Sequence, residues 1–212
     1  MIREMQAAIF DLDGVIVDTA KYHYLAWKRL AYALGFDFTE RDNERLKGVS
    51  RQHSLEILLE IGQQSLNEEE KQTYAAMKND WYVEYIQQLH TNEILPGVTD
   101  YIEKIRNRGV KTAIGSASKN TPLILERLGI RKMFDSVVDG NKVSKAKPDP
   151  EVFLRAAAEI KVIPQACVVF EDAEAGIEAA LRAGMGAVGI GRPASLIEAD
   201  AVIEGIWQLL IL

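Results

Sequence analysis

Four short stretches of this chain carry side chains that could do polar chemistry together. Residues 10–15 read FDLDGV and set two carboxylates, Asp11 and Asp13, two positions apart. The apolar run 7–10 precedes them, so they stand where a buried strand ends, and ligands collect at the carboxyl ends of parallel strands. Two such groups can divide labour, one attacking phosphorus and the other moving a proton. Gly14 lets the backbone turn closely around them. Glu171 and Asp172 end a second apolar run, 166–170. Gathered on one sheet edge, four carboxyl groups repel one another unless a hard cation lies among them, and magnesium takes such oxygen ligands. Ser116 follows the run 110–114 and begins SASKN, where small residues let backbone N–H groups approach an anion and Lys119 and Asn120 add donors. Lys147, just before Pro148, offers charge against a phosphate; Lys145 is the nearby competitor. Singly, each stretch also reads as a solvated acidic turn, a helix cap, a polar loop or a surface lysine.

These residues need a scaffold that brings strand ends together. Strand-like runs occur at 7–10, 110–114, 136–138, 167–170, 187–190 and 201–203, with helical patterns between most of them. Val98, Ile102 and Ile105 recur at helical spacing before Gly109, Asp149-Pro150-Glu151 reads as a cap and first turn, and a helix over 174–183 precedes Gly184. Alternation of strand and helix predicts an α/β fold with a Rossmann-like parallel sheet. Residues 20–90 differ, having helical periodicity and no strand. His23, Trp27, Leu30 and Leu34 share one face, 54–61 forms another helix, and Asn67 with Glu70 caps a longer one whose face is Tyr74, Met77, Trp81 and Tyr85. The sequence predicts an α/β core, 1–18 and 93–212, with a helical cap domain, 19–92, inserted after the first strand.

The 212 residues are 48% hydrophobic and carry a formal charge of −6. That composition is globular, and net acidity argues against a nucleic-acid partner. No run of about 18 apolar residues suggests a membrane span, and no secretory signal is visible. The single cysteine, Cys167, lies in an apolar run and reads as packing; the expected location is the cytoplasm.

DLDGV at 11–15, Ser116 after a later strand, Lys147 before a proline and Glu171-Asp172 after another strand occur in an order that resembles the haloacid dehalogenase-like superfamily of phosphotransferases. The resemblance implies Asp11 as a nucleophile that becomes an aspartyl phosphate and Asp13 as general acid and base. It gives Ser116 and Lys147 the transferring phosphoryl group, and the Asp11 carboxylate, the Asp13 carbonyl, Glu171 and Asp172 an Mg2+ ion. The inserted helices are similar to those of the hexose-phosphate mutases in this superfamily, through TAKYHYLAWK at 19–28, ERLKGVSR at 44–51 and KND at 78–80. That likeness implies a sugar-phosphate site formed by His23, Trp27, Gly48, Val49, Ser50, Arg51, Ser54 and Lys78, together with Ser116, Ala117, Ser118, Lys119 and Asn120. Arg51 would fork onto a distal phosphate, and Thr19 would either answer to Asp13 or cap its helix. From periodicity alone, His23 and Trp27 are an ordinary core face, and Arg51 and Lys78 solvated side chains. The implied activity is a mutase acting through a sugar bisphosphate, in a monomer. A phosphatase, in which water attacks the aspartyl phosphate, is the alternative, and a non-catalytic sugar-phosphate binder fits less well with intact Asp11 and Asp13.

Overall fold

The computed structural model describes residues 2–46 and 49–211. The chain divides into two compact units, one formed by 1–18 with 90–212 and the other by 19–89.

The first unit is built on six parallel strands: β1 (Ala7–Phe10), β2 (Lys111–Gly115), β3 (Ser136–Val138), β4 (Cys167–Glu171), β5 (Gly186–Ile190) and β6 (Ala201–Ile203). Their order across the sheet is β3-β2-β1-β4-β5-β6. β1 and β4 are buried at every residue, which is why they read as unbroken apolar runs and not as alternations. Phe10 pairs with Phe170 in register, and their rings stack with centroids 4.8 Å apart. That register makes Asp11 and Glu171 neighbours, each one residue past the paired phenylalanines. The strand order reverses between β1 and β4, and at this switch point an open parallel sheet leaves a crevice at its carboxyl end.

Four helices belong to this unit: Val98–Arg106, Thr121–Arg127, Glu151–Ile160 and Glu174–Arg182. Gly109 and Gly184 both have positive φ just beyond helix ends, as the stop signals predict. At Glu151–Ile160 the expectation shifts by one residue. Pro150 occupies the cap position, and Asp149 accepts a hydrogen bond from the Glu151 N–H at 3.0 Å. Cys167 is buried, and desolvation pushes its thiol up to about 11, consistent with a packing role.

Among the described residues, the second unit has no strand and is built from α1 (Ala20–Ala33), α2 (Glu40–Asn43), α3 (Arg51–Ile61) and α4 (Glu68–Ile86), with a 3-10 turn at Glu44–Leu46. Trp27, Leu30, Ala31, Phe38, Leu55, Leu58 and Leu59 form its core. Asn67 and Glu70 make the reciprocal capping box at the start of α4. The α4 face differs from the sequence expectation. Its fully buried residues are Lys78, Tyr82 and Ile86, whereas Tyr74, Met77 and Trp81 pack half-buried on the core and Tyr85 stacks on Tyr22. A lysine heading the buried stripe escapes any reading that scores only apolar residues, because its aliphatic stem packs like one. Among the described residues, no helix is long and apolar enough to cross a membrane.

Candidate active site

The carboxyl ends of β1 and β4 bring three of the four sequence stretches into contact. The Asp11 N–H donates to the Phe170 carbonyl at 2.9 Å, which fixes the start of the acidic loop beside β4. The Lys147 ammonium reaches Asp11 Oδ1 at 2.5 Å and Glu171 Oε2 at 2.9 Å. It also lies 4.8 Å from the centroid of the Phe153 ring. Lys145, the competing lysine, is exposed and pairs with Asp149 at 3.3 Å.

Asp11, Glu171 and Asp172 each offer an oxygen such that all three atoms lie within 4.8 Å of one another. Burial, reinforced by Asp11 and Asp172 and opposed by Lys147, pushes the Glu171 carboxyl up to about 8. Burial alone would lower the Lys147 pKa, but Asp11 and Glu171 outweigh it and hold the ammonium above the ordinary lysine range. A cation among these oxygens would favour the charged carboxylates over the protonated ones. Two glycines make the crowding sterically feasible. Gly14 has φ +74°, and a Cβ there would overlap the Asp172 carboxylate; one on Gly176 would overlap Glu171. The second glycine has no conspicuous sequence signal beyond its place in the first helical turn after Glu171-Asp172.

Ser116 stands at the end of β2 with 1% of its surface exposed. Its N–H donates to the Val138 carbonyl at 3.0 Å, and its Oγ accepts the Ser118 N–H at 3.1 Å. The hydroxyl thus keeps a proton to donate. Ser118 Oγ in turn accepts the Asn120 N–H at 3.3 Å, so the loop is ordered from within. Ala117 and Lys119 are exposed, and Asn120 precedes the helix Thr121–Arg127. Asp13 is half-buried, and the loop closes through the Gly14 N–H on the Val17 carbonyl at 2.9 Å. The acidic trio does not include the Asp13 carboxylate.

The helical unit has its own polar cluster. Lys78, 2% exposed, lies with its Nζ 2.9 Å from His23 Nδ1. The same ammonium sits 4.4 Å from the Trp27 ring centroid and 5.0 Å from that of Tyr82. Burial first, then Lys78 and Arg51, hold the His23 pKa well below its usual value, so the imidazole is neutral and Nδ1 accepts from the lysine. The His23 ring also stacks on Tyr82, centroids 4.0 Å apart. Arg51 donates from Nη2 to Asn79 Oδ1 at 2.7 Å. Ser50 caps α3 by accepting the His53 N–H, and Ser54 is buried in the first turn. Val49 is half-buried, and Gly48 lies outside the described residues. Thr19 precedes α1 but its side chain makes no cap; its hydroxyl accepts from the Tyr82 hydroxyl at 3.2 Å. Sequence reasoning gave a role to Lys78 but none to Asn79, although KND at 78–80 contains it, and missed Tyr82, whose signal was its place on α4 four residues past Lys78.

These features together define a member of a phosphoryl-transfer class with an aspartate at the end of its first strand. The model of the haloacid dehalogenase-like hydrolases matches residues 5–184, and the chain belongs to that family. Within it, the chain is 45% identical to a beta-phosphoglucomutase of Bacillus subtilis, across 94% of this chain and 89% of the relative. It is similar to the crystal structure of a beta-phosphoglucomutase from Clostridium difficile, with a TM-score of 0.92 and 44% identity over 97% of this chain and 93% of the other. A phosphorylated carbohydrates phosphatase of Thermotoga maritima is 33% identical across 94% of this chain and 91% of the relative.

Proposed function

We propose that the chain is a beta-phosphoglucomutase, an isomerase that interconverts beta-glucose 1-phosphate and glucose 6-phosphate. The observation that carries this reading is the 45% identity to a beta-phosphoglucomutase along 94% of the chain, together with the Asp11–Lys147–Glu171–Asp172 cluster. Asp11 is the nucleophile. Carrying a phosphoryl group, it gives that group to the 6-hydroxyl of beta-glucose 1-phosphate while Asp13 takes the hydroxyl proton. The product, beta-glucose 1,6-bisphosphate, turns so that its other phosphate meets Asp11. Asp11 then attacks phosphorus, the bond to the sugar O1 breaks, and Asp13 returns its proton to that oxygen. Glucose 6-phosphate leaves and the phosphorylated Asp11 is restored.

Lys147 and the Ser116 hydroxyl hold the non-bridging oxygens of the moving group, one by charge and one by a hydrogen bond. The donor set is all carboxylate oxygen, which suits a hard divalent cation. Asp11, Glu171 and Asp172, with the Asp13 carbonyl, would hold Mg2+, which neutralises phosphoryl charge when bound. The sugar and its second phosphate fall to the helical unit through His23, Trp27, residues 48–51, Ser54 and Lys78, and to Ala117, Ser118, Lys119 and Asn120. Arg51 takes the phosphate that is not being transferred. The chain works as a cytoplasmic monomer.

The phosphatase reading has a specific relative behind it, so the test must separate the two. The chain, Mg2+, beta-glucose 1-phosphate and a trace of the 1,6-bisphosphate are mixed, and glucose 6-phosphate and free phosphate are followed together. The mutase reading expects glucose 6-phosphate to dominate. Rapid phosphate release with little glucose 6-phosphate would establish the phosphatase.

A further inference from the structure

Arg51 opens α3 and is only partly exposed, so its guanidinium is not free to sample solvent as a surface arginine does. The group that fixes it is on another helix. Asn79, on α4, presents Oδ1 to Arg51 Nη2 at 2.7 Å, 28 residues away in sequence. A carboxylate in this place would hold the fork but cancel its charge. Here an amide oxygen does the holding. It takes one of the five guanidinium N–H donors and adds no charge of its own, so this contact leaves the positive charge of the fork in place for an incoming anion. The adjacent residue, Asp80, is a carboxylate and acts on Arg51 at longer range. The amide and the acid are thus placed so that the contact is neutral.

We propose that Asn79 is a positioning residue for substrate phosphate, aiming the Arg51 guanidinium while preserving its charge. The inference rests on the mutase reading above and on the role of Arg51 within it. Asn79 acts through Arg51. Removing the amide leaves the arginine present but unaimed. Replacing it by the isosteric acid keeps the hydrogen bond but neutralises the fork.

The experiment is a double-mutant cycle on the mutase reaction using N79A, R51A and the double variant, with N79D beside them. The Michaelis constant for beta-glucose 1-phosphate should rise about tenfold or more in N79A, as for loss of a hydrogen bond to a charged group. It should rise further in N79D, and the effect of N79A should vanish in the R51A background. Labelling of Asp11 by acetyl phosphate, a small donor with no second phosphate, should proceed at the wild-type rate in N79A and N79D. That control separates aim from damage to the fold, and N79D, being isosteric, stands if N79A does not fold. An unchanged Michaelis constant in N79A and N79D, or full additivity of N79A with R51A, would overturn the inference while leaving the mutase intact. Absence of glucose 6-phosphate from the wild-type chain would overturn the mutase reading and this inference with it.

Discussion

Among the described residues each unit buries a lysine side chain, and the two have different neighbours. Lys147 lies between the acidic groups of Asp11 and Glu171, at 2.5 and 2.9 Å, so its ammonium is met by acidic oxygens. Lys78 lies against a neutral imidazole and the faces of Trp27 and Tyr82, where dipoles and ring quadrupoles hold the ammonium. A lysine met by acidic oxygens suits a site where a highly charged group moves and the balance must be kept at each stage. A lysine that lies among an imidazole and two aromatic faces suits recognition of a sugar. Under the proposed function, chemistry belongs to the first unit and selection to the second.

The contrast can be broken at either lysine. The largest effect is expected for Lys147→Met, which keeps an apolar stem but removes the ammonium from Asp11 and Glu171. Turnover should fall about a thousandfold or more, as for loss of an aimed charge in a phosphoryl-transfer site, and labelling of Asp11 by acetyl phosphate should fall with it. A variant that labels normally would remove Lys147 from the chemistry. Lys78→Met should be milder, lowering kcat/KM for beta-glucose 1-phosphate about ten- to a hundredfold, the range for a lost hydrogen bond to a charged group. Acetyl phosphate labelling should be unchanged there, and loss of labelling would place Lys78 in the chemical step.

The smallest effect concerns His23 and pH. Its folded pKa is depressed while that of an unfolded chain is near 6.5, so the unfolded state binds the extra proton first. Stability from this group is therefore present above about pH 6.5 and is lost as pH falls below it, at up to about 1.4 kcal/mol per pH unit. Thermal melts of the wild type and His23→Gln between pH 7 and pH 5 (about two units) should diverge in slope, with the variant less sensitive to acid. Parallel slopes would mean that His23 is not buried in its neutral form.

Much of this was legible in the sequence, and for identifiable reasons. β1 and β4 announced themselves because they are covered on both faces and must be apolar throughout. Asp11, Glu171 and Asp172 were visible because polar residues at the end of such runs break the pattern abruptly. Register was not legible, and it is register that sets Phe10 opposite Phe170 and so makes Asp11 a neighbour of Glu171. Choosing Lys147 over Lys145 needed the family pattern, since both precede Pro148 within three residues and only the structure separates a buried ammonium from an exposed one. The stripe Lys78, Tyr82 and Ile86 was hidden because hydropathy counts a lysine as exposed. The contact of Asn79, within KND, with Arg51 was hidden because a hydrogen bond between helices leaves no mark in local periodicity.

The central claim is that Asp11 carries the phosphoryl group, and peptide mass mapping tests it most directly. The chain is incubated with Mg2+ and beta-glucose 1,6-bisphosphate, quenched in acid and digested. The peptide containing Asp11 should gain the mass of one phosphoryl group, lose it when glucose 6-phosphate or beta-glucose 1-phosphate is added before the quench, and never gain it in Asp11→Asn. A phosphoryl group on any other residue, or one that persists in Asp11→Asn, would contradict the account.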